Sequence, residues 1–227
     1  MSADAWTLER GDERYPECVL QLGGEAPATL HGVGCLELVA GLEPERAVTI
    51  VGSRRSGSYG LGVARELAFG AASAGLVVVS GMALGCDSAA HEGALEAGGA
   101  TVAVLGGGAD VPSPPSKRGL YRRILASGGA VVSEQPPGTR PFKVSFPARN
   151  RIMAALGGVT VVVEGAIRSG TRHTAERAER LGRDVAWRRS PARSPRRSRR
   201  SRTTCSTTAP RSSATLRTCS TSGSASG

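Results

Sequence analysis

Five short runs of β-branched and small apolar residues recur along the chain and constrain its fold more than any other feature. They are Ala47–Val51, Leu76–Ser80, Thr101–Leu105, Ala130–Ser133 and Val159–Glu164. Each is nearly continuous in apolar character, as strands covered on both faces are. Helix-compatible segments lie between and after them, at 59–74, 87–97, 117–127, 149–156 and 172–181. Gly75, Gly98, Gly99, Gly128 and Gly129 sit where helix C-caps belong. This alternation predicts an α/β fold: a parallel sheet with right-handed crossovers and helices on both faces. A sixth strand begins at Arg183–Trp187, and there the pattern stops.

Such a sheet is Rossmann-like, and its ligands belong at the carboxyl ends of the strands. Residues 1–46 precede it as a leader. Pro16, Gly23, Gly24, Pro27, Gly32 and Gly34 break that leader into turns, while Leu20, Leu22, Leu30, Leu36 and Leu38 can pack on the core. An irregular flap is expected there, with the Rossmann-like core at 47–186.

Residues 187–227 differ in kind. The whole chain carries 29 Lys+Arg against 19 Asp+Glu, a formal net charge of +10 that suggests a basic nucleic-acid binder. Ten of those cations, all arginine, fall between Trp187 and Gly227, which hold no acid. That leaves 19 basic and 19 acidic side chains in residues 1–186, so the body is neutral. The same 41 residues contain 18 Ser+Thr and one large aliphatic, Leu216. They cannot bury enough apolar surface to offset an ordering entropy of ~1–2 kcal/mol per residue, and a disordered tail is expected.

Several classes drop out. No run of about 18 apolar residues is present to span a membrane. The first residues, with Asp4, Glu9, Asp12 and Glu13, lack the basic start and apolar run of a signal peptide. Cys18, Cys35, Cys86, Cys205 and Cys219 form no CxxC pair or other metal spacing, so neither a zinc site nor a disulfide framework is expected. Cys86 lies in a buried-looking segment, as suits a reduced, cytoplasmic protein.

Four loops follow the strands. The first, Gly52-Ser53-Arg54-Arg55-Ser56-Gly57-Ser58, leads into a helix near Tyr59. Its free N–H groups favour an anion, Gly52 leaves room for a phosphate, and Arg54 offers a planar fork of donors. It is neither GxGxxG nor a Walker A loop, and a solvated surface turn is the competing reading. The second, Ser80–Asp87, leads to His91; Asp87 is placed to cap the next helix, and a lone His91 reads as structural. The third, Pro141–Arg151, gathers Phe142, Lys143, Phe146, Arg149 and Arg151 in a protein with three Phe in all. Aromatics beside cations suit an unpaired nucleic acid, where stacking is worth ~1–3 kcal/mol per base; core packing by Phe146 and Pro147 is the competing reading. The fourth, Glu164–Ala175, presents Ser169, Gly170 and Thr171 at another helix start. Two anion-binding helix ends on one sheet edge are therefore expected. Neither paired carboxylates nor a Ser–His–Asp order accompanies them, so the site reads as one that binds phosphate without cleaving it.

In order, these segments resemble the Rossmann-like core of the DNA-processing protein A family, also called Smf proteins. The matching stretches are VGSR (51–54) with Tyr59-Gly60, SGMALGCDSAAH (80–91), GALEAGGATVAVLGGGADVPSPPS (93–116), SEQPPGT (133–139), PFKVSFPARNRIMAAL (141–156) and VVVEGAIRSGTRHTAERAERLGRDV (161–185). The resemblance implies a protein without catalytic activity, cofactor or metal. It implies binding of single-stranded DNA taken up in natural transformation, loading of the RecA recombinase onto that strand, and action as a homodimer. By position, Gly52, Ser53 and Arg54 would hold a backbone phosphate. Lys143, Arg149 and Arg151 would line the DNA path, Phe146 and Asn150 would shape the pocket, and Ser169, Gly170 and Thr171 would add the second anion-binding end.

The chain departs from the family pattern at both ends. The helical domain often found before the core and the small domain after it have no counterpart, and the last strand and helix of the core give way to the basic tail. A frameshift is the expected origin of that tail: read in another register, G- or C-ending codons for Arg202–Ser222 yield a string rich in aspartate, leucine, alanine and valine. The nucleotide sequence across codons 180–227 decides it, since a frameshift requires a one-base register error near codon 187. Otherwise the tail is a genuine basic extension adding nonspecific DNA affinity. The rival function is a lysine-decarboxylase-like nucleotide phosphoribohydrolase. That group requires PGGxGT followed by a catalytic glutamate, and Ser169-Gly170-Thr171 has neither the Pro-Gly-Gly nor that glutamate. A dinucleotide-dependent oxidoreductase would need GxGxxG after the first strand. Fold alone separates none of these.

Overall fold

The computed structural model describes residues 4–164 and 170–188. The tail from 189 onward and its proposed origin lie outside the described residues, as does Ser169.

The chain opens with strand β1 (Ala5–Glu9), a short helix α1 (Glu17–Leu20), strand β2 (Thr29–Gly34) and helix α2 (Leu36–Ala40). The alternating part follows: β3 (Ala47–Gly52), α3 (Ser58–Ser73), β4 (Val77–Ser80), α4 (Cys86–Glu96), β5 (Thr101–Val104), α5 (Arg118–Ala126), β6 (Ala130–Ser133), α6 (Ser145–Leu156), β7 (Val159–Val163), α7 (Gly170–Arg180) and β8 (Asp184–Arg188). All five apolar runs form strands, and each intervening segment holds a helix. Helix α6 starts four residues before the expected 149. Pro147 lies within its first turn, where a missing N–H leaves no hydrogen bond unmade.

Among the described residues the strands make one eight-stranded sheet, ordered β1-β2-β6-β5-β4-β3-β7-β8. Strands β3 to β8 run parallel, as their crossovers demand. The sheet as a whole is mixed, because the leader supplies two antiparallel strands. The leader is therefore more than an irregular flap: Thr29–Gly34 zips onto β6 from His31↔Ser133 to Gly34↔Ala130, and β1 closes that edge. Gly32 and Gly34 read as turn residues in the sequence, yet they are strand residues under close approach. A Cβ at Gly32 would collide with the Trp6 ring, whose Nε1 donates to Gly34 O at 3.1 Å. At the opposite edge β8 pairs with β7 from Val159↔Asp184 to Val163↔Arg188, carrying the strand expected at 183–187 one residue further.

Side-chain alternation sorts the core into two layers. Val48, Ile50, Val78 and Val163 face α3 and α4, and Ala103 and Val131 continue that layer under α5. Val51, Val79, Val102, Val104, Val132 and Val162 face the other way, onto Ile152, Met153 and Leu156 of α6, Ala175 of α7 and Val19 of α1. Buried hydroxyls are satisfied locally: Thr49 Oγ1 donates to Met153 O at 2.7 Å and Ser80 Oγ to Ile50 O at 2.6 Å. His91 belongs to this interior, with Nδ1 2.7 Å from Thr101 Oγ1 and its side chain fully buried, so the structural reading of that histidine holds.

The order of the strands places the site. From β3 the chain steps outward through β4, β5 and β6, then α6 carries it back across the sheet to β7 on the other side of β3. The winding reverses between β3 and β7, and a crevice opens outside their carboxyl ends.

Candidate functional site

A cleft of about 660 Å³ occupies that crevice. Its walls come from the loop after β3 (Gly52, Ser53, Arg54, Arg55), the loop after β4 (Ala83, Asp87), the start of α6 (Lys143, Phe146, Pro147, Arg149, Asn150, Met153) and the first turns of α7 (Gly170, Thr171, Thr174). Nine of the expected site residues thus meet in one place: Gly52, Ser53, Arg54, Lys143, Phe146, Arg149, Asn150, Gly170 and Thr171.

The loop after β3 is fixed from within. Ser53 N donates to Val163 O at 3.2 Å, Cys86 N donates to Ser53 O at 3.2 Å, and Ser53 Oγ accepts Arg55 N at 3.1 Å. Gly52 has a different reason to be glycine than expected. A Cβ there would run into Val163 O and the Cys86 side chain, so β7 and α4 demand the glycine rather than a bound phosphate. Arg54 is exposed, and its Cζ stands 5.2 Å from the centroid of the Phe146 ring, a cation–π arrangement. Lys143 is exposed as well. Among the described residues neither cation has a carboxylate within ion-pair distance.

Arg149 does something else. Its side chain is 5% exposed; Nη1 donates to Gly81 O at 2.7 Å and also to Val104 O, and Nε donates to Asn150 Oδ1 at 3.2 Å. Nη2 lies 3.7 Å from the equally buried Asp87 carboxylate. Asn150 Nδ2 then donates to Gly170 O at 3.0 Å. A continuous chain of polar contacts therefore joins the loop after β4 and the end of β5 to α6 and the start of α7. Burial raises the Asp87 carboxyl above its ordinary range, opposed by Arg149, by the backbone N–H groups of Gly52 and Ala83, and by Arg54. Burial likewise lowers the Arg149 guanidinium, opposed by Asp87.

Asp87 is not the cap expected of it: Gly85 is the N-cap of α4, and Asp87 lies inside its first turn beneath the cleft. The signal available was an acid in an otherwise apolar segment. Arg151 departs further from expectation. Its guanidinium grips Glu134 at 3.0 and 2.6 Å, and it donates to Glu25 O at 2.7 Å and Ala148 O at 2.6 Å, outside the cleft. The reason is helical: residues two apart point about 200° apart around a helix, so Arg149 and Arg151 cannot share a path. The expectation of two helix ends also needs correcting. Gly170 and Thr171 of α7 line the cleft, whereas the first turn of α3 does not.

Among the described residues, no helix is long and apolar enough to cross a membrane, and no group of three or more His, Cys, Asp or Glu is placed to hold a metal ion. The cleft offers exposed guanidinium and ammonium groups, one aromatic face and a helix start, which is the equipment for gripping a phosphate beside a planar ring.

The family model for DNA recombination-mediator protein A matches residues 6–220. A DprA-designated protein of Mycobacterium tuberculosis is 45% identical over 163 residues, covering 72% of this chain and 41% of that one. The DNA processing protein DprA of Streptococcus pneumoniae is 40% identical over 174 residues, covering 77% of this chain and 59% of that one. The chain thus spans between about two-fifths and three-fifths of these relatives. The crystal structure of the Streptococcus pneumoniae protein superposes with a TM-score of 0.72 at 38% identity, covering 80% of this chain and 62% of that one. A Helicobacter pylori DNA processing protein A, whose structure describes a single-stranded DNA binding mode, gives 0.71 at 30% identity with 82% of each chain covered.

Proposed function

The chain belongs to the DNA recombination-mediator protein A family, and from that premise we propose that its cleft binds an unpaired DNA strand by the sugar-phosphate backbone. One observation carries this reading: Arg54 and Lys143, 89 residues apart in sequence, converge with Phe146 on one cleft, and neither has a carboxylate within ion-pair distance among the described residues. Phosphate needs cations that no internal acid has already claimed. The Arg54 fork approaches one phosphate while its guanidinium plane and the Phe146 ring offer stacking surfaces to a base. Lys143 supplies a second point charge, and the α7 start with Gly170 and Thr171 supplies backbone N–H groups. Gly52 and Ser53 shape the loop, Asn150 holds α7 in place, and Arg149 braces the floor.

The strand so held remains uncut. The role is that of a binding protein without cofactor or catalysis, acting in the cytoplasm during DNA-mediated transformation and recombination. The partner reactions proposed with it are handover of the strand to RecA and homodimerisation.

Fluorescence anisotropy with a labelled single-stranded oligonucleotide tests the cleft. Arg54→Ala and Lys143→Ala should each weaken binding, and each lost phosphate contact should flatten the dependence of log K on log salt by about 0.7. Unchanged affinity and slope in both variants would remove the cleft from the function.

A further inference from the structure

At one point the leader does more than complete the sheet. Arg151, from α6, donates through Nε to Glu25 O at 2.7 Å, and Arg177, from α7, holds the Glu25 carboxylate. Arg183, in the turn between α7 and β8, donates to Gln21 Oε1 at 2.5 Å. Three arginines, 126 to 162 residues away in sequence, thus close on leader residues 21–25. The same stretch is seated from below, since Leu20 and Leu22 pack against the core beside Val19. Arg151 is fixed a second time by Glu134, just past β6, in a pair whose side chains are each 15% exposed. The Arg177–Glu25 pair is more open, at 34% and 49% exposure.

Helices α6 and α7 are also two walls of the cleft, through Phe146 and Asn150 on one and Gly170 and Thr174 on the other. Within the cleft, Asn150 Nδ2 ties them by its bond to Gly170 O at 3.0 Å. Outside it, Glu25 ties the same two helices again, through Arg151 and Arg177. We propose that Glu25 is a positioning residue for the bound strand: bridging Arg151 and Arg177, it latches α6 to α7 outside the cleft and so sets how far apart the cleft walls stand. This rests on the reading of the cleft as a backbone site and adds a residue beyond the cleft on which that site depends. Hydrogen bonds to a phosphate hold over a few tenths of an ångström. A wall free to drift therefore weakens binding although no group that touches the strand has been removed. Stability is a poor reason for the latch, because half-exposed ion pairs contribute little to folding and the leader is already seated by its leucines.

The test turns on the sign of a charge effect. Glu25→Gln removes a negative charge, so electrostatics alone would tighten the grip on a polyanion, and a purely structural ion pair would leave binding unchanged. The latch requires the opposite. In fluorescence anisotropy with a labelled oligothymidine on the full chain, Glu25→Gln should bind about threefold or more weaker than wild type. Its unfolding midpoint should stay within about 2 °C of wild type. Arg177→Met should weaken binding to a similar degree. The double variant, whose net charge equals that of the wild type, should remain as weak as the single ones, because both changes cut one link. Glu25→Asp, which keeps the charge, should recover part of the loss. Binding by Glu25→Gln equal to or tighter than wild type would overturn the proposal, and so would a double variant restored to wild-type affinity. A lowered midpoint with unchanged affinity, measured where both proteins are folded, would make the link structural only and overturn it too. If Arg54→Ala and Lys143→Ala weaken binding while the latch variants do not, the latch fails and the backbone site stands. If Arg54→Ala and Lys143→Ala leave binding unchanged, the backbone site fails and the latch falls with it.

Discussion

Replacing Arg149 by methionine separates two roles that one arginine beside a cationic cleft could have. As a strand contact it would be dispensable for folding; as a brace it would be indispensable. The structure shows its side chain and that of Asp87 at 5% and 7% exposure and 3.7 Å apart. Removing one member of such a pair strands the other charge in the interior, a loss of about 3–5 kcal/mol. The carbonyls of Gly81 and Val104 lose their donor as well, which pushes toward the upper end. In a domain of this size about 2–4 °C is lost per kcal/mol, so a fall of about 6–20 °C is expected. Adding Asp87→Asn should recover part of it, because the double variant no longer buries a lone carboxylate. Thermal unfolding measures the fall, and anisotropy at a temperature where both proteins are folded measures the DNA affinity. An Arg149→Met protein with its melting point within about 2 °C of wild type and its single-strand affinity abolished would refute the brace. It would make Arg149 a direct ligand of the strand.

The remaining predictions concern the core. Burial lowers the His91 imidazole from 6.5 to about 3, the nearby Arg149 charge adding to the effect, so the unfolded chain binds a proton there that the folded chain refuses. The contribution is therefore fully present above pH 6.5 and fades as pH falls toward 3. Urea unfolding should report about 2 kcal/mol less stability from this group at pH 5 than at pH 7, and His91→Gln should lack that increment; an unchanged pH slope in the variant would place the proton elsewhere. Gly52→Ala should lower the unfolding midpoint even with no DNA present, since its methyl group meets Val163 O and Cys86. A variant as stable as wild type but defective in binding would restore the phosphate as the reason for that glycine.

The central architecture was legible because β3 to β7 are buried on both faces and so written as unbroken apolar runs. The leader was not. Thr29–Gly34 carries two glycines for the sake of the Trp6 ring and of Gly129, and nothing local distinguishes such glycines from turn residues. At the site, Arg54, Lys143 and Phe146 stood out as cations and an aromatic on loops after strands, and the structure brings them together. Arg151 falls outside the cleft because clustering in sequence ignores the direction each side chain takes once the segment winds. Asp87 was misjudged for the opposite reason, since its partner lies 62 residues away and no short-range pattern announces a buried ion pair.

The angular offset between Arg149 and Arg151 also bears on how this segment tolerates change in length. Within a single turn of α6 one guanidinium enters the floor of the cleft and another, two residues on, points outward to Glu134 and the leader. Deleting or inserting a single residue between Lys143 and Arg149 would rotate everything downstream by about 100°. The inward arginine would be delivered to the surface, with Ala148 taking its place at the floor after an insertion and Asn150 after a deletion. Point replacements here can be absorbed one at a time, whereas a change of count is transmitted to every downstream contact at once.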